Sequence, residues 1–398
     1  MPGALGLVSV LDPTITPGRL GPSARTKLSR TRAHEMRNDP LVSVIVPTYD
    51  RALLIRRTLC SIALQTYRPI ELVVVDDGSS DGTKSVLGGL KGQLEADARL
   101  AIHLVAQTHR GAAAARNAGF RVSTGDLVMW HDSDDLMDKK KVECVVRRMK
   151  ETNADMCANG FSFCRGRKLT VVASFVPPAE VGDAVAEFLD NSLHPSPAVW
   201  TYRREFLASG VAWDEALTGS EDYDFVARCI VRRPQIATVL QPLCYAVEHA
   251  GSRLTDRFFT VEHFQSLLTI HGRLIEALVT AGKFEHLRTQ ALLPVVNYAV
   301  QSYALSRETS GAFIDLYRRY GNAVAWGRNR LERYLWRRFG LAVCSVYWRS
   351  RHRVGFLAGA LTGILRVEGW RPWLLSPRLE VAEAQFPGLL EERPRIGD

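Results

Sequence analysis

The chain has no paired-cysteine pattern. Its seven cysteines run from Cys60 to Cys344 without a C-x-x-C, which argues against a disulfide framework or a structural zinc site and for a reducing compartment. No run reaches the roughly 18 uncharged apolar residues of a membrane span. The apolar opening at 1–11 carries no basic start of the secretory kind, so the expected location is the cytoplasm. Nor does a G-x-G-x-x-G follow the first hydrophobic run at 41–46, where Pro47, Thr48 and Tyr49 stand instead. That absence removes a dinucleotide-dependent oxidoreductase, and no internal repeat suggests a solenoid.

What is there is globular in composition, 46% hydrophobic and 23% charged. Lys and Arg number 51 against 42 Asp and Glu, a net charge of +9, which favours anionic partners such as nucleotide diphosphates or anionic lipid. Residues 1–40 mix Pro, Gly, Ser and Arg without periodicity and read as disordered or loosely attached. From 41 the text alternates. Runs at 41–46, 71–75, 100–105 and 126–130 read as buried strands, separated by helices over 52–65, after Asp81 and after Gly111. This is an α/β pattern with a largely parallel sheet, expected over 41–255, and a helical, Arg- and aromatic-rich region over 256–398.

Ligands of open α/β sheets bind beyond the carboxyl ends of the strands. There the chain places Pro47-Thr-Tyr-Asp50, Asp76-Asp-Gly-Ser79 and Asp132-Ser-Asp-Asp135. Three carboxylates within four residues repel one another unless a cation or strong donors compensate. Hard oxygen ligands suit Mg²⁺ or Mn²⁺ holding a diphosphate. A third acidic cluster, Ser220-Glu-Asp-Tyr-Asp224, precedes an amphipathic helix. Each cluster has a plainer reading as a turn or a helix cap.

Together, Val46 to Arg51, Gln65-Thr-Tyr67, Asp76 to Thr83, Arg116-Asn-Ala-Gly119, Asp132 to Asp135 and Glu221-Asp222 resemble, in order and spacing, the family 2 glycosyltransferases. The resemblance covers about half the chain. It implies a GT-A nucleotide-diphospho-sugar transferase fold, Rossmann-like, with a helical C-terminal extension. It also implies an inverting transfer from a nucleotide-sugar, UDP-sugar by family frequency, to an acceptor hydroxyl, with Mn²⁺ or Mg²⁺. By the same resemblance Thr48 and Tyr49, beside Pro47, line the nucleotide pocket; Asp77 reads the base with Asp76 beside it; and Arg116 approaches the nucleotide or its phosphates. Asp132 and Asp134 hold the metal, Asp135 standing in for one of them, and His249 joins them. Asp222 is the base, with Glu221 and Asp132 counted among the substrate-binding residues. Two departures touch donor geometry: Asp50 stands where many relatives carry Asn, and Ala246-Val247-Glu248 replaces a commoner basic residue before His249.

Between Leu316 and Gly355 stand ten Arg, no Lys and one acid, Glu332. Leu331, Leu335 and Phe339 share one side of a helical wheel, with Arg330, Arg333 and Arg337 opposite, as in a helix lying among lipid headgroups. An anionic membrane surface met through 316–365 competes here with packing onto the core, a homodimer interface and a phosphate-bearing acceptor. The acceptor itself, a glycan, a lipid-linked sugar or a secondary-metabolite precursor, stays open. Nucleic acid is not expected as a partner, because the acidic crevice would repel its backbone. A catalytically inactive GT-A scaffold is the remaining alternative.

Overall fold

The computed structural model describes residues 39–94, 99–165, 169–249, 260–303 and 305–320. Its first half is a run of βα units: β1 (Val42–Thr48), α1 (Ile55–Ala63), β2 (Ile70–Asp76), α2 (Thr83–Leu94), β3 (Leu100–Ala106), α3 (Ala112–Val122) and β4 (Leu127–Trp130). Every residue of β1, β2 and β4 is buried. Central parallel strands are covered on both faces, so they are written as continuous apolar runs. β3 alternates buried and exposed residues at its start, as an edge strand does. α1 turns Ile55, Leu59 and Ile62 inward, the i, i+4, i+7 spacing of one helical face. Burying each such side chain stabilises the fold by about 1.5–3 kcal/mol.

The second half contributes β5 (Leu136–Met137), α4 (Lys141–Thr152), β6 (Met156–Arg165), β7 (Thr170–Phe175), α5 (Ala184–Leu189), β8 (Trp200–Arg203), α6 (Arg204–Ala208), α7 (Glu221–Ile230) and β9 (Ile236–Val247). The strands form one sheet in the order β3-β2-β1-β4-β8-β6-β9-β5, with β7 on β6. It is parallel from β3 to β4 and mixed beyond, since β8 joins β4 and β6 antiparallel while β9 joins β6 parallel. A C-terminal helical region follows: α8 (Val261–Thr280), α9 (Phe284–Ser302) and α10 (Arg307–Tyr320). No helix among the described residues is long and apolar enough to cross a membrane. The Arg- and aromatic-rich tract after Tyr320 lies outside the described residues.

Two features fix the site's walls. A Cβ on Gly119 would lie 2.3 Å from Ile45 Cγ2, so only glycine lets α3 lie this close to β1 and bring Arg116 to the strand ends. Trp130, 2% exposed at the end of β4, meets Tyr202, Trp213 and Phe225 edge-on at 5.5, 5.3 and 5.1 Å. Edge-to-face pairs of this kind add about 0.5–1.5 kcal/mol each beyond burial. They lock the strand before Asp132 to the helix that begins at Glu221.

Candidate active site

The ends of β1 and β2 open the site. Thr48 and Asp76 are register partners, both nearly fully buried, and Thr48 Oγ1 and Asp76 Oδ2 have no hydrogen-bond partner. Buried polar atoms without a partner are costly and rare in native folds, so a pair side by side marks a place for a polar ligand. Tyr49, just beyond, is 41% exposed, and its ring centroid lies 4.1 Å from that of His109. Asp50 adopts φ 49°; its amide donates to Ser79 Oγ at 2.9 Å and its Oδ1 accepts from Ser80 N at 2.7 Å. These bonds tie the β1 turn to the β2 turn. Pro47 is buried within β1.

Asp77, expected to read the base, is tied to the loop after β3. Its Oδ1 accepts from Gln107 Nε2 at 2.7 Å and Arg110 N at 2.9 Å, and its Oδ2 from Gly111 N at 2.8 Å. His109 Nδ1 lies 2.9 Å from Oδ2. Through these bonds Asp77 secures the loop between β3 and α3, while Asp76 Oδ2 has no hydrogen-bond partner.

Arg116, expected to approach the nucleotide or its phosphates, is paired within the chain. It is 4% exposed; Nη1 donates to Glu221 Oε1 at 3.0 Å and Nη2 to Asp132 Oδ1 at 3.1 Å. Its guanidinium also covers the Trp213 ring at 4.5 Å. Burial opposes its charge, but Asp132 and Glu221 outweigh that and hold it more firmly protonated. Burial pushes the Asp132 carboxyl up, against the pull of Arg116. Asp222 lies next along α7. Burial, then the charge of Glu221, raises its carboxyl to about 7, while Tyr223 N donates to Oδ1 at 2.8 Å.

The four residues expected to hold a metal do not gather around one point. Asp134 Oδ2 faces His249 Nε2 at 2.9 Å and Arg51 Nε at 3.4 Å. Asp132 is held by Arg116, and Asp135 Oδ1 accepts from Val247 N at 3.1 Å, which turns it into the β5–β9 junction. Among the described residues no group of three acidic, His or Cys side chains is arranged to hold an ion. The pair Asp134 and His249 does fit one: a carboxylate and an imidazole are donors for Mn²⁺, and such ions often take few protein ligands and complete their shell with phosphate oxygens. Among the described residues no cysteine is in a disulfide, and burial raises Cys157 and Cys229 to about 12.

Some relationships had no signal in the sequence. His109 and Gln107 sit in a loop with no motif of its own. Trp213 was visible only as one aromatic among many, although it stacks on Phe225 at 4.2 Å and 5° and carries Arg116.

With this geometry in hand, comparison with known proteins identifies the class. Residues 43–209 match the family description Glycosyl transferase family 2, and over this stretch the chain is similar to that family. An uncharacterized glycosyltransferase of Haemophilus influenzae is 30% identical over 139 residues, 34% of this chain and 54% of that protein. The UDP-Glc:alpha-D-GlcNAc-diphosphoundecaprenol beta-1,3-glucosyltransferase WfgD of Escherichia coli is 31% identical over 145 residues, 36% of this chain and 54% of that one. The chain spans about half the length, or less, of the curated relatives first compared with it. Among solved structures, S. aureus TarS 1–349 in complex with UDP superposes with a TM-score of 0.54 at 19% identity, covering 79% of this chain and 91% of that one. The same protein with UDP-GlcNAc gives 0.51 at 20% identity, covering 70% and 89%. The fold is GT-A.

Proposed function

We propose that this chain transfers a sugar from a nucleotide diphosphate, a UDP-sugar, to an acceptor hydroxyl with inversion, using Asp222 as the general base. The observation that carries the reading is the buried Arg116, which draws Asp132 and Glu221 together beside Asp222; burial and the charge of Glu221 raise the Asp222 carboxyl to about 7. A general base is most effective when its pKa lies near the working pH. The family of residues 43–209 and the UDP-bound S. aureus TarS of the same fold support the donor class.

In this reading the nucleobase lies against Tyr49, and its polar edge meets Asp76 Oδ2 and Thr48 Oγ1. Asp77 keeps the loop 107–111 drawn in as the floor. Arg116 fixes Glu221, and with it the first turn of α7, so that Asp222 accepts the acceptor's proton as its oxygen attacks the anomeric carbon opposite the diphosphate. The displacement is single, with no sugar attached to the protein. A divalent cation, Mn²⁺ or Mg²⁺, would be held by Asp134 and His249 and would neutralise the diphosphate as it leaves.

For the acceptor, the name of WfgD records transfer to a lipid-diphosphate-linked sugar; an acceptor of that kind suits the basic, aromatic tract of 316–365 meeting an anionic membrane surface.

The test is calorimetric titration with UDP, dTDP and GDP, each in Mn²⁺ and in EDTA. Metal-dependent binding of UDP is expected; binding of none of the three, in either condition, would overturn the reading.

A further inference from the structure

The stretch that matches the family ends at residue 209, before the segment that carries Asp222. What shapes that segment is α8, the first helix of the C-terminal region. Gly219 has φ 116° and Ser220 φ 56°, two consecutive residues in the left-handed region immediately before α7. A non-glycine residue there is uncommon and disfavoured by sterics, so the surroundings must hold it. Ser220 makes no side-chain cap to the helix it precedes. The constraint comes from α8. Ser266 Oγ accepts from Thr218 N at 3.0 Å and lies 3.3 Å from Thr218 Oγ1. His263 presses against the next residue so closely that a Cβ on Gly219 would sit 2.8 Å from its Nδ1.

Further along, the same helix grips both flanks. Arg273 Nη1 donates to Asp214 Oδ2 at 2.7 Å and lies 3.4 Å from Asp224 Oδ1. The ring of His271 lies 5.6 Å from that of Tyr223. Ser266 and His263 are buried, 5% and 7% exposed, so water does not replace their contacts. Arg116 therefore holds Glu221 from the sheet side, and α8 holds Thr218 and Gly219 from the other.

We infer that Ser266 and His263 of α8 are positioning residues for Asp222: they hold the left-handed Gly219–Ser220 turn that sets where the base stands over the acceptor. This rests on Asp222 being the base. A general base contributes about 10²–10⁴ to rate, and a displacement near 1 Å at a reacting group can cost on the order of 10²-fold. A small loosening of this turn is therefore read in turnover, while the donor pocket built by β1, β2 and β4 is left alone.

The experiment compares the full chain with Ser266→Ala and, separately, Gly219→Ala. Backbone-amide exchange is followed over 214–226, and UDP release from UDP-glucose and from UDP-GlcNAc is followed with Mn²⁺ and water as acceptor. Rates are expressed per competent site from the calorimetric stoichiometry for UDP. In Ser266→Ala, exchange at Thr218 to Asp222 rises about tenfold or more, kcat per UDP-binding site falls roughly ten- to hundredfold, and the donor KM is unchanged. Gly219→Ala moves the same quantities in the same direction. A general weakening of the fold would lower the UDP stoichiometry instead and leave kcat per competent site untouched, which would overturn the inference. So would unchanged exchange at Thr218 to Asp222 in both variants. A wild-type chain that neither binds UDP nor releases it would sink the transferase reading itself, and the exchange rates would still decide whether α8 holds the turn.

Discussion

Arg116 and Glu221, 105 residues apart in the chain, meet at 3.0 Å with the guanidinium 4% exposed and the carboxylate 11% exposed. The same guanidinium holds Asp132, so one buried cation joins α3, the turn after β4 and the start of α7. Removing one partner of a buried ion pair leaves an uncompensated charge and typically costs about 3–5 kcal/mol. Arg116→Met is therefore expected to lower the free energy of urea unfolding by an amount of that order. Arg116→Lys, with a single ammonium in place of the planar fork, should recover only part of it. A loss under about 1 kcal/mol for Arg116→Met would show that the three elements are held by the Trp130 aromatic cluster alone.

Asp222→Asn removes the proposed base without changing its shape. It is expected to leave UDP affinity intact and to reduce turnover by about 10²–10⁴. Wild-type kcat should rise with pH through about 7, because burial and Glu221 raise this carboxyl to that value and only its ionised form takes a proton. The rising limb should be missing from the residual rate of Asp222→Asn. Normal turnover by that variant would remove Asp222 from the role.

Asp134 Oδ2 and His249 Nε2 face each other at 2.9 Å. Asp134→Ala and His249→Ala should each weaken UDP binding in Mn²⁺ toward the value in EDTA. Asp135→Ala should leave the Mn²⁺ dependence nearly unchanged, because its Oδ1 is engaged with Val247 N. Equal losses for all three would return Asp135 to the ligand set.

The strands and helices up to Trp130 were legible because a doubly covered parallel strand is an unbroken apolar run, and Ile55, Leu59 and Ile62 mark one face of a helix. The acids at the strand ends were legible because carboxylates there have few reasons to cluster. Which oxygen stays free was not. Asp76 and Asp77 are neighbours in sequence, but the amides of Arg110 and Gly111 occupy only the second, and that pairing depends on how the β3–α3 loop closes. The antiparallel insertion of β8 between β4 and β6 was hidden for a related reason: a four-residue strand, Trp200 to Arg203, with only its first three residues buried, reads the same in either direction. The grip of α8 on Gly219 needs tertiary contact between segments that show no motif in common.

The same helix gives the fold an acid-sensitive point. His271 is 1% exposed, its Nδ1 has no hydrogen-bond partner, and burial lowers it to about 4. In the unfolded chain a histidine titrates near 6.5. Between about pH 6.5 and 4 the unfolded state therefore binds the extra proton, so the stability that neutral His271 contributes is present above 6.5 and is lost as pH falls toward 4. Asp222 works in the opposite sense: its folded value is raised, so its contribution is present at low pH and is lost as pH rises through about 7. A difference of differences separates the two. His271→Phe keeps an aromatic ring between Tyr223 and Tyr298, whose centroids lie 5.6 and 5.3 Å away, and removes the titration while Asp222 stays. On lowering pH from 7 to 5 the wild-type chain should lose about 2 kcal/mol more urea-unfolding free energy than His271→Phe, as follows from roughly 1.5 pH units at about 1.4 kcal/mol each. An equal loss in the two proteins would mean that His271 is reached by solvent protons without unfolding, and that α8 does not seal the back of α7.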